Sequence, residues 1–409
     1  MSNIQKVQLD NGIRILTEPV DHVRSATVAI WCTTGSVDEA DAEAGITHFI
    51  EHMLFKGTAR RDAREIAAEI EGRGGVLNAM TDKEATCYYA RVLSDDVIPA
   101  LDVLTDMVTG SKFDAVELER EKEVVLEEIK RIEDEPDDLV HDLHLQYRWA
   151  AHRLGKPIIG TSESVARFTR EEVTDYVSRH YRGPRIVVSA TGRIDPEAIR
   201  DFVEGAFASL GHGEAKSHLE RPSSTPGKVN VARDVEQVHF CIGGDGCSVY
   251  DDDLYTLAVL DGLLGSGMSS RLFQEVRERR GLAYAIGSYT SSYSSGGTFT
   301  VYGGTSMQKW EEVQEVVYGE LAKVRTEAPG DEELEATKRQ LKGHLVLALE
   351  SMSSRMSRMT RNEIFHGREI PIDETLAKID SVTAAGVTEL AERVLAEQNL
   401  SQTAIGPFA

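Results

Sequence analysis

The sequence is poor in basic residues relative to acidic ones, with 45 lysines and arginines against 68 aspartates and glutamates in 409 residues. The net charge of −23 argues against a nucleic-acid-binding surface, which requires a basic stripe, and we expect no nucleic-acid partner. Two explanations of the acidity stay open. The charge either serves solubility alone or lines an acidic interior that attracts basic peptides, because a charge count does not locate the charge.

Signals for membrane insertion and secretion are also missing. No apolar run approaches the roughly 20 residues of a membrane span, and Met1–Asp10 does not combine a basic segment with an apolar run, as a signal peptide does. The four cysteines lack zinc-knuckle spacing, and Cys32, Cys87 and Cys241 lie in strand-like runs, which is typical of buried small hydrophobic residues. These absences predict a protein without a membrane span in a reducing cytoplasm. A chain already trimmed of a targeting segment would have the same features.

Local patterns predict a mixture of strands and helices. Asn11-Gly12 lies between two strand-like runs, which is the strongest short-range signal for a β-hairpin. Further strands are expected over residues 25–32, 76–81, 85–92 and 185–190. Helices are expected over residues 46–56, 64–71, most of 94–151 and 195–209.

The second half of the chain repeats the first. A displacement of 212 residues brings Ser36-Val37 onto Ser248-Val249, and one of 214 brings Gly192 onto Gly406. Between the halves, residues 211–228 are rich in Gly, Pro and Ser and have no periodicity, as in a linker. We therefore predict an α+β fold of two tandemly duplicated α/β domains, residues 1–210 and 229–409, each a mostly antiparallel sheet covered by helices.

One predicted helix carries the most informative motif. In Gly45–Lys56, apolar residues recur at helical spacing and form one face that would be buried. His48, Glu51 and His52 lie on a different face, and two imidazoles one turn apart can bind one metal ion. The order His-x-x-Glu-His is the inverted form of the more familiar zinc-protease motif.

The metal site is predicted in the first half alone. At a displacement of 212 residues, the three motif positions correspond to Leu260, Leu263 and Leu264. Two histidines and a water leave tetrahedral zinc one protein ligand short. The glutamate-rich helix predicted over residues 114–132 offers candidates, but such a run is usually a solvated face, and its residues alone do not identify the ligand.

The segment Thr47–Thr58 resembles the signature of the pitrilysin/insulysin family of zinc metallopeptidases, and the whole chain resembles the family's processing-peptidase members. This resemblance implies one zinc ion per chain with Glu128 as the third ligand, ahead of its neighbour Glu127. It also implies that Glu121 holds a ligand in position. The implied reaction is hydrolysis of peptide bonds, in which Glu51 accepts a proton from the attacking water and passes it to the leaving amine.

The resemblance further implies how a peptide substrate is bound. Asn78 and Ala79 lie in a stretch similar to the family's edge strand, to which the substrate adds as a further strand. Arg277 and Tyr284 resemble the pair with which the family holds the substrate and stabilises the oxyanion.

The resemblance also has consequences for assembly. Longer family members carry four such domains and close as a clamshell, so a chain with two domains would form half of one. We expect a homodimer that cleaves peptides or unfolded segments in an enclosed chamber, with Arg277 and Tyr284 acting in trans. The alternative is a noncatalytic or hetero-oligomeric subunit that needs a different partner chain. Such noncatalytic subunits commonly have damaged motifs, whereas this motif is intact.

Overall fold

The computed structural model describes residues 3–216 and 219–409, and within them the chain forms two compact units. Unit 1 comprises residues 3–130, 157–216 and 348–371, and unit 2 comprises residues 131–156, 219–347 and 372–409. Ser217 and His218, inside the predicted linker 211–228, lie outside the described residues.

The elements follow one another in two similar series. The strands are β1 (Gln5–Gln8), β2 (Arg14–Pro19), β3 (Ser25–Cys32), β4 (Val76–Thr81), β5 (Thr86–Leu93), β6 (Ile186–Gly192), β7 (Gly227–Ala232), β8 (Gln237–Gly246), β9 (Ala283–Ser292), β10 (Gly297–Ser306) and β11 (Ser401–Gly406). The α-helices are α1 (Ile46–Leu54), α2 (Ala63–Glu71), α3 (Val97–Gly110), α4 (Ala115–Asp134), α5 (Pro136–Arg148), α6 (Ser162–Arg167), α7 (Arg170–His180), α8 (Pro196–Ala206), α9 (Leu254–Leu264), α10 (Trp310–Thr326), α11 (Asp331–Ala348), α12 (Met352–His366), α13 (Ile372–Asp380) and α14 (Ala384–Val394).

Unit 1 contains a six-stranded sheet with the order β1-β2-β6-β3-β5-β4. β2 and β6 are parallel, and the other neighbouring strands are antiparallel. β1 and β2 form the hairpin predicted from Asn11-Gly12, and the N–H of Leu9 donates to the carbonyl of Ile13 at 2.9 Å across the turn. Gly12 has a φ of +90°, a conformation that side chains with a Cβ rarely adopt. β4 lies at the other edge of this sheet and pairs with β5.

Unit 2 contains a five-stranded sheet with the order β7-β11-β8-β10-β9. This order reproduces β2-β6-β3-β5-β4 strand for strand, and its one parallel pair, β7 with β11, corresponds to β2 with β6. The repeat seen in the sequence is therefore a repeat of topology. The predicted fold class is confirmed, because each of the two domains combines helices with a mostly antiparallel sheet.

One pair of helices departs from a division into two consecutive halves. α5 follows α4 in the first half of the chain but belongs to unit 2, where Leu139 and Val140 join a buried cluster on that sheet. Its counterpart α12 follows α11 in the second half but belongs to unit 1, where Met356 and Met359 pack on the sheet. Each unit is therefore discontinuous in sequence, unlike the consecutive domains 1–210 and 229–409.

The predictions for the cysteines and for membrane-spanning segments can be compared with the structure. The four cysteines are all unpaired and buried. Burial of Cys32, Cys87 and Cys241 is what their strand-like runs predict. Within residues 3–216 and 219–409, no helix combines the length and the apolar character needed to cross a membrane.

Candidate metal centre

Helix α1 has two chemically different faces, as its sequence predicts. The apolar face is fully buried and consists of Ile46, Phe49, Ile50, Met53 and Leu54. Burial of each such side chain contributes roughly 1.5–3 kcal/mol, so this face fixes the rotation of the helix about its axis. The partly exposed motif residues His48, Glu51 and His52 are thereby directed away from the core.

The first turn of α1 is held by a carboxylate that sequence reasoning missed. The residue before the helix, Gly45, has a φ of +87° and no side chain with which to cap the free N–H groups. Glu39, which is 0% exposed, accepts hydrogen bonds from the backbone N–H groups of Gly45 and Thr47 at 2.8 and 2.9 Å. Burial raises the pKa of Glu39 to about 7, although both hydrogen bonds oppose this shift. Glu39 therefore replaces the usual N-cap side chain.

Helix α4 brings Glu128 to the two histidines of α1. Glu128 Oε2 lies 3.8 Å from His48 Nε2 and 3.6 Å from His52 Nε2, and the two imidazole centroids are 4.8 Å apart. One donor atom from each of the three residues lies within 4.8 Å of the other two. In the described part of the chain, no other group of three or more His, Cys, Asp or Glu residues could hold a metal ion in this way.

This donor set suits zinc. Ligand atoms bound to tetrahedral zinc at about 2.0–2.2 Å lie roughly 3.3–3.6 Å from one another. The distances from Glu128 Oε2 to the two imidazole nitrogens, 3.8 and 3.6 Å, are close to this range. Two neutral imidazoles and a carboxylate are also the donors that a catalytic zinc site commonly uses.

The geometry separates Glu128 from its rival Glu127. The side chain of Glu127 is 69% exposed, and its carboxylate accepts a hydrogen bond from Lys130 at 2.6 Å on the outer face of α4. Adjacent residues of a helix point about 100° apart, so only one of the two carboxylates can face α1. Glu128 is that residue.

Glu121 lies two turns before Glu128 and contacts a predicted ligand, His52. Its Oε2 lies 3.2 Å from His52 Nδ1, and its Oε1 lies 2.6 Å from Lys56 Nζ. Burial raises the pKa of Glu121, but the contacts with His52 and Lys56 outweigh burial and leave this pKa below its ordinary value. An ionised Glu121 favours the His52 tautomer with the proton on Nδ1, which leaves the Nε2 lone pair free.

His48 is suited to bind a metal in its neutral form. Burial, and secondarily the nearby His52, lower the pKa of His48 to about 4. The imidazole is therefore uncharged at neutral pH, as metal ligation requires.

Glu51 receives a hydrogen bond from the neighbouring strand. The hydroxyl of Thr81, the last residue of β4, donates to Glu51 Oε2. Burial raises the pKa of Glu51, and this effect exceeds the opposing influence of Thr81 and His52. A carboxylate with a raised pKa is a better proton acceptor, which suits a general base.

The predicted substrate strand is an edge strand in the structure. Asn78 and Ala79 lie in β4, whose second edge is not paired within the described part of unit 1. The N–H of Ala79 donates to Asn78 Oδ1 at 2.8 Å. A peptide that engages this N–H would have to displace the Asn78 side chain.

Arg277 and Tyr284 lie together in unit 2. Arg277 belongs to a π-helical segment, Phe273–Arg279, and Tyr284 to the edge strand β9. The Arg277 guanidinium carbon lies 4.7 Å from the centre of the Tyr284 ring, which is cation–π distance. The Tyr284 side chain is 81% exposed, so it is open to a binding partner.

In unit 2, the counterpart of α1 has no metal-binding side chains at the corresponding positions. Leu260, Leu263 and Leu264 of α9 are buried in the apolar core. The second copy of this helix therefore serves packing, as the repeat in the sequence predicts.

Comparison with known sequences assigns both parts of the chain to one family. A family model described as Insulinase (Peptidase family M16) matches residues 14–162, and one described as Peptidase M16 inactive domain matches residues 167–341. The uncharacterized zinc protease YmxG of Bacillus subtilis is 42% identical over 394 residues and covers 96% of each chain. The uncharacterized zinc protease SCO5738 of Streptomyces coelicolor is 38% identical, over all of this chain and 90% of its own.

Solved structures agree with this assignment at the level of the fold. A peptidase M16 inactive domain from Pseudomonas fluorescens has a TM-score of 0.93 at 21% identity, over 100% of this chain and 99% of its own. A protease from Helicobacter pylori has a TM-score of 0.93 at 19% identity, over 100% of both chains. The chain belongs to the insulinase family of peptidases, family M16, as the resemblance of Thr47–Thr58 implies.

Proposed function

We propose that the protein is a zinc-dependent endopeptidase in which His48, His52 and Glu128 hold the metal. The observation that carries this proposal is the convergence of these three donor atoms within 4.8 Å on the face of α1 that also bears Glu51. The relatives named zinc protease, which match this chain over nearly its whole length, support it. Zinc bound there would supply a Lewis acid that lowers the pKa of water and polarises a peptide carbonyl.

Side chains of the protein carry out proton transfer, orientation of a metal ligand and substrate binding. Glu51 accepts a proton from the attacking water and returns it to the leaving amine, and Oε1 is available because Thr81 occupies Oε2. Glu121 orients His52 through Nδ1. Asn78 and Ala79 bind the substrate main chain along the open edge of β4, which makes recognition tolerant of substrate sequence.

We propose in addition that two copies of the chain cleave peptides or unfolded segments in a shared chamber. In this arrangement Arg277 and Tyr284 of each chain serve the zinc site of its partner, where they hold the substrate and stabilise the oxyanion. The exposure of Tyr284 and its stacking with Arg277 support this role, because the pair is preorganised and open to solvent.

Two neighbouring glutamates provide a matched test of the metal site. We expect Glu128→Gln to lose both bound zinc and peptidase activity, and Glu127→Gln to keep both, because only the Glu128 carboxylate faces the histidines. Zinc is measured by elemental analysis after dialysis, and activity with an unstructured fluorogenic peptide. Loss of zinc from the Glu127 variant alone would contradict the assignment. A wild-type chain that holds one zinc ion but cleaves nothing by itself would favour the noncatalytic or hetero-oligomeric alternative.

A further inference from the structure

Thr81 connects the proposed general base to the proposed substrate strand. Its hydroxyl donates to Glu51 Oε2, and its backbone ends β4, the edge strand of the sheet. We propose that Thr81 is a positioning residue, which holds the Glu51 carboxylate for catalysis and couples this orientation to the binding of a peptide along β4. This inference rests on the proposed peptidase function and assigns a role to a residue outside the motif.

The backbone around Thr81 is well fixed on one side. Thr81 is the register partner of Thr86 on β5, and the N–H of Asp82 donates to the carbonyl of Ala85 at 2.9 Å. The turn between the two strands is held in place because Val37 N–H donates to the carbonyl of Lys83 at 2.9 Å. Thr81 is therefore held on its β5 side, whereas the open edge of β4 is not restrained by a neighbouring strand within the described part of unit 1.

A hydroxyl suits this purpose better than a charged donor. Glu121 contacts the ammonium group of Lys56, which favours the ionised carboxylate and makes it a weak base. Glu51 instead receives its hydrogen bond from a neutral hydroxyl, which fixes one oxygen with less loss of basicity. The two carboxylates that flank His52 are thus oriented by donors that match their different tasks.

The coupling follows from the geometry of the strand. Residues two apart in a strand face the same side, so Ala79 and Thr81 share the face of β4 opposite to that of Asn78 and Met80. A peptide that pairs with the open edge near Ala79 restrains the main chain of β4 two residues before Thr81. Restraint of the main chain reduces the motion of the hydroxyl that holds Glu51. Peptides long enough to pair with β4 should therefore have a higher kcat as well as a lower KM.

Removal of the hydroxyl tests the inference on the full-length zinc-loaded protein. We expect Thr81→Val to lower kcat by roughly 10- to 100-fold, the loss of a hydrogen bond to a charged group, with KM for short peptides nearly unchanged. Thr81→Ser keeps a hydroxyl and should restore most of kcat. Thr174→Val, which removes a hydroxyl bonded to the Glu171 carbonyl in α7, is the control and should leave kcat unchanged.

Two further measurements distinguish positioning from a structural role. The zinc content and melting temperature of Thr81→Val should equal those of the wild type, and the gain in kcat with peptide length should disappear. A wild-type kcat in Thr81→Val, or a loss in Thr81→Ser as large as that in Thr81→Val, would overturn the inference and leave the peptidase function intact. No cleavage by the wild-type holoprotein, alone or with other family chains, would overturn both.

Discussion

At the scale of single residues, three carboxylates lie near one pair of histidines, and their surroundings differ. Glu128 faces Nε2 of both His48 and His52, whereas Glu121 is buried between His52 and Lys56. Glu51 receives a neutral hydroxyl donor and has a raised pKa, caused mainly by burial. The three environments therefore fit the proposed roles of ligand, orienting group and base, although the side chains are chemically identical.

Substitution of Glu121 tests the orienting role. We expect Glu121→Gln to weaken zinc binding by roughly 10- to 100-fold, because a neutral amide no longer favours the His52 tautomer with the proton on Nδ1. The affinity is measured by competition with a chromophoric zinc chelator. Glu119→Gln is the control on the same helix, since the Glu119 carboxylate contacts Lys122 on the outer face. Equal zinc affinities of the Glu121 variant and the wild type would exclude this role.

The site residues differ in how far the sequence alone predicts them. His48, Glu51 and His52 follow from helical spacing, because the contacts between them are local. Glu128 required the family resemblance, since nothing in a run of glutamates shows which one faces another helix. Glu39 and Thr81 were missed as partners of α1, because their contacts depend on how distant loops and strands meet the helix.

At the scale of elements, α1 depends on Glu39 at its N-terminus. The carboxylate is buried and its pKa is raised to about 7, so the folded protein keeps a proton that the unfolded chain releases near its ordinary pKa of 4.5. A rise in pH between these two values therefore favours the unfolded state. Protonation does not abolish the cap, because a carboxylic acid still offers an acceptor oxygen to a backbone N–H.

The pH dependence of stability checks this linkage. We expect the free energy of unfolding of the wild type to fall relative to that of Glu39→Gln between about pH 4.5 and 7. The slope of the difference should reach at most about 1.4 kcal/mol per pH unit. Urea denaturation of the metal-free proteins at a series of pH values measures it. A difference that stays constant or rises with pH would show that burial does not raise the pKa of Glu39.

The repeat shows how far the arrangement of elements can be predicted. Two copies of one sheet follow from matched segments at nearly constant displacement, and both sheets have the same strand order. The exchange of α5 and α12 between the units does not follow from the sequence. Helical periodicity shows which face of a helix is apolar, but it does not show which of two similar sheets that face covers.

At the scale of the whole molecule, the proposed active site requires two chains. Mixing inactive variants tests this proposal, since Glu51→Gln removes the base and Tyr284→Phe removes the hydroxyl that would act in trans. After subunit exchange in an equal mixture, we expect about one quarter of the wild-type activity, because half of the dimers carry one intact site of two. No recovery despite verified exchange would show that Tyr284 serves its own chain.

The central claim, a zinc peptidase with Glu51 as the base, is tested most directly by one comparison. Zinc content and peptide cleavage are measured on the same preparations of the wild type and Glu51→Gln. We predict one zinc ion per chain in both proteins, because Glu51 is not among the three donors, and a fall in kcat of at least roughly 100-fold in the variant. Cleavage by Glu51→Gln at the wild-type rate, with zinc retained, would contradict the claim.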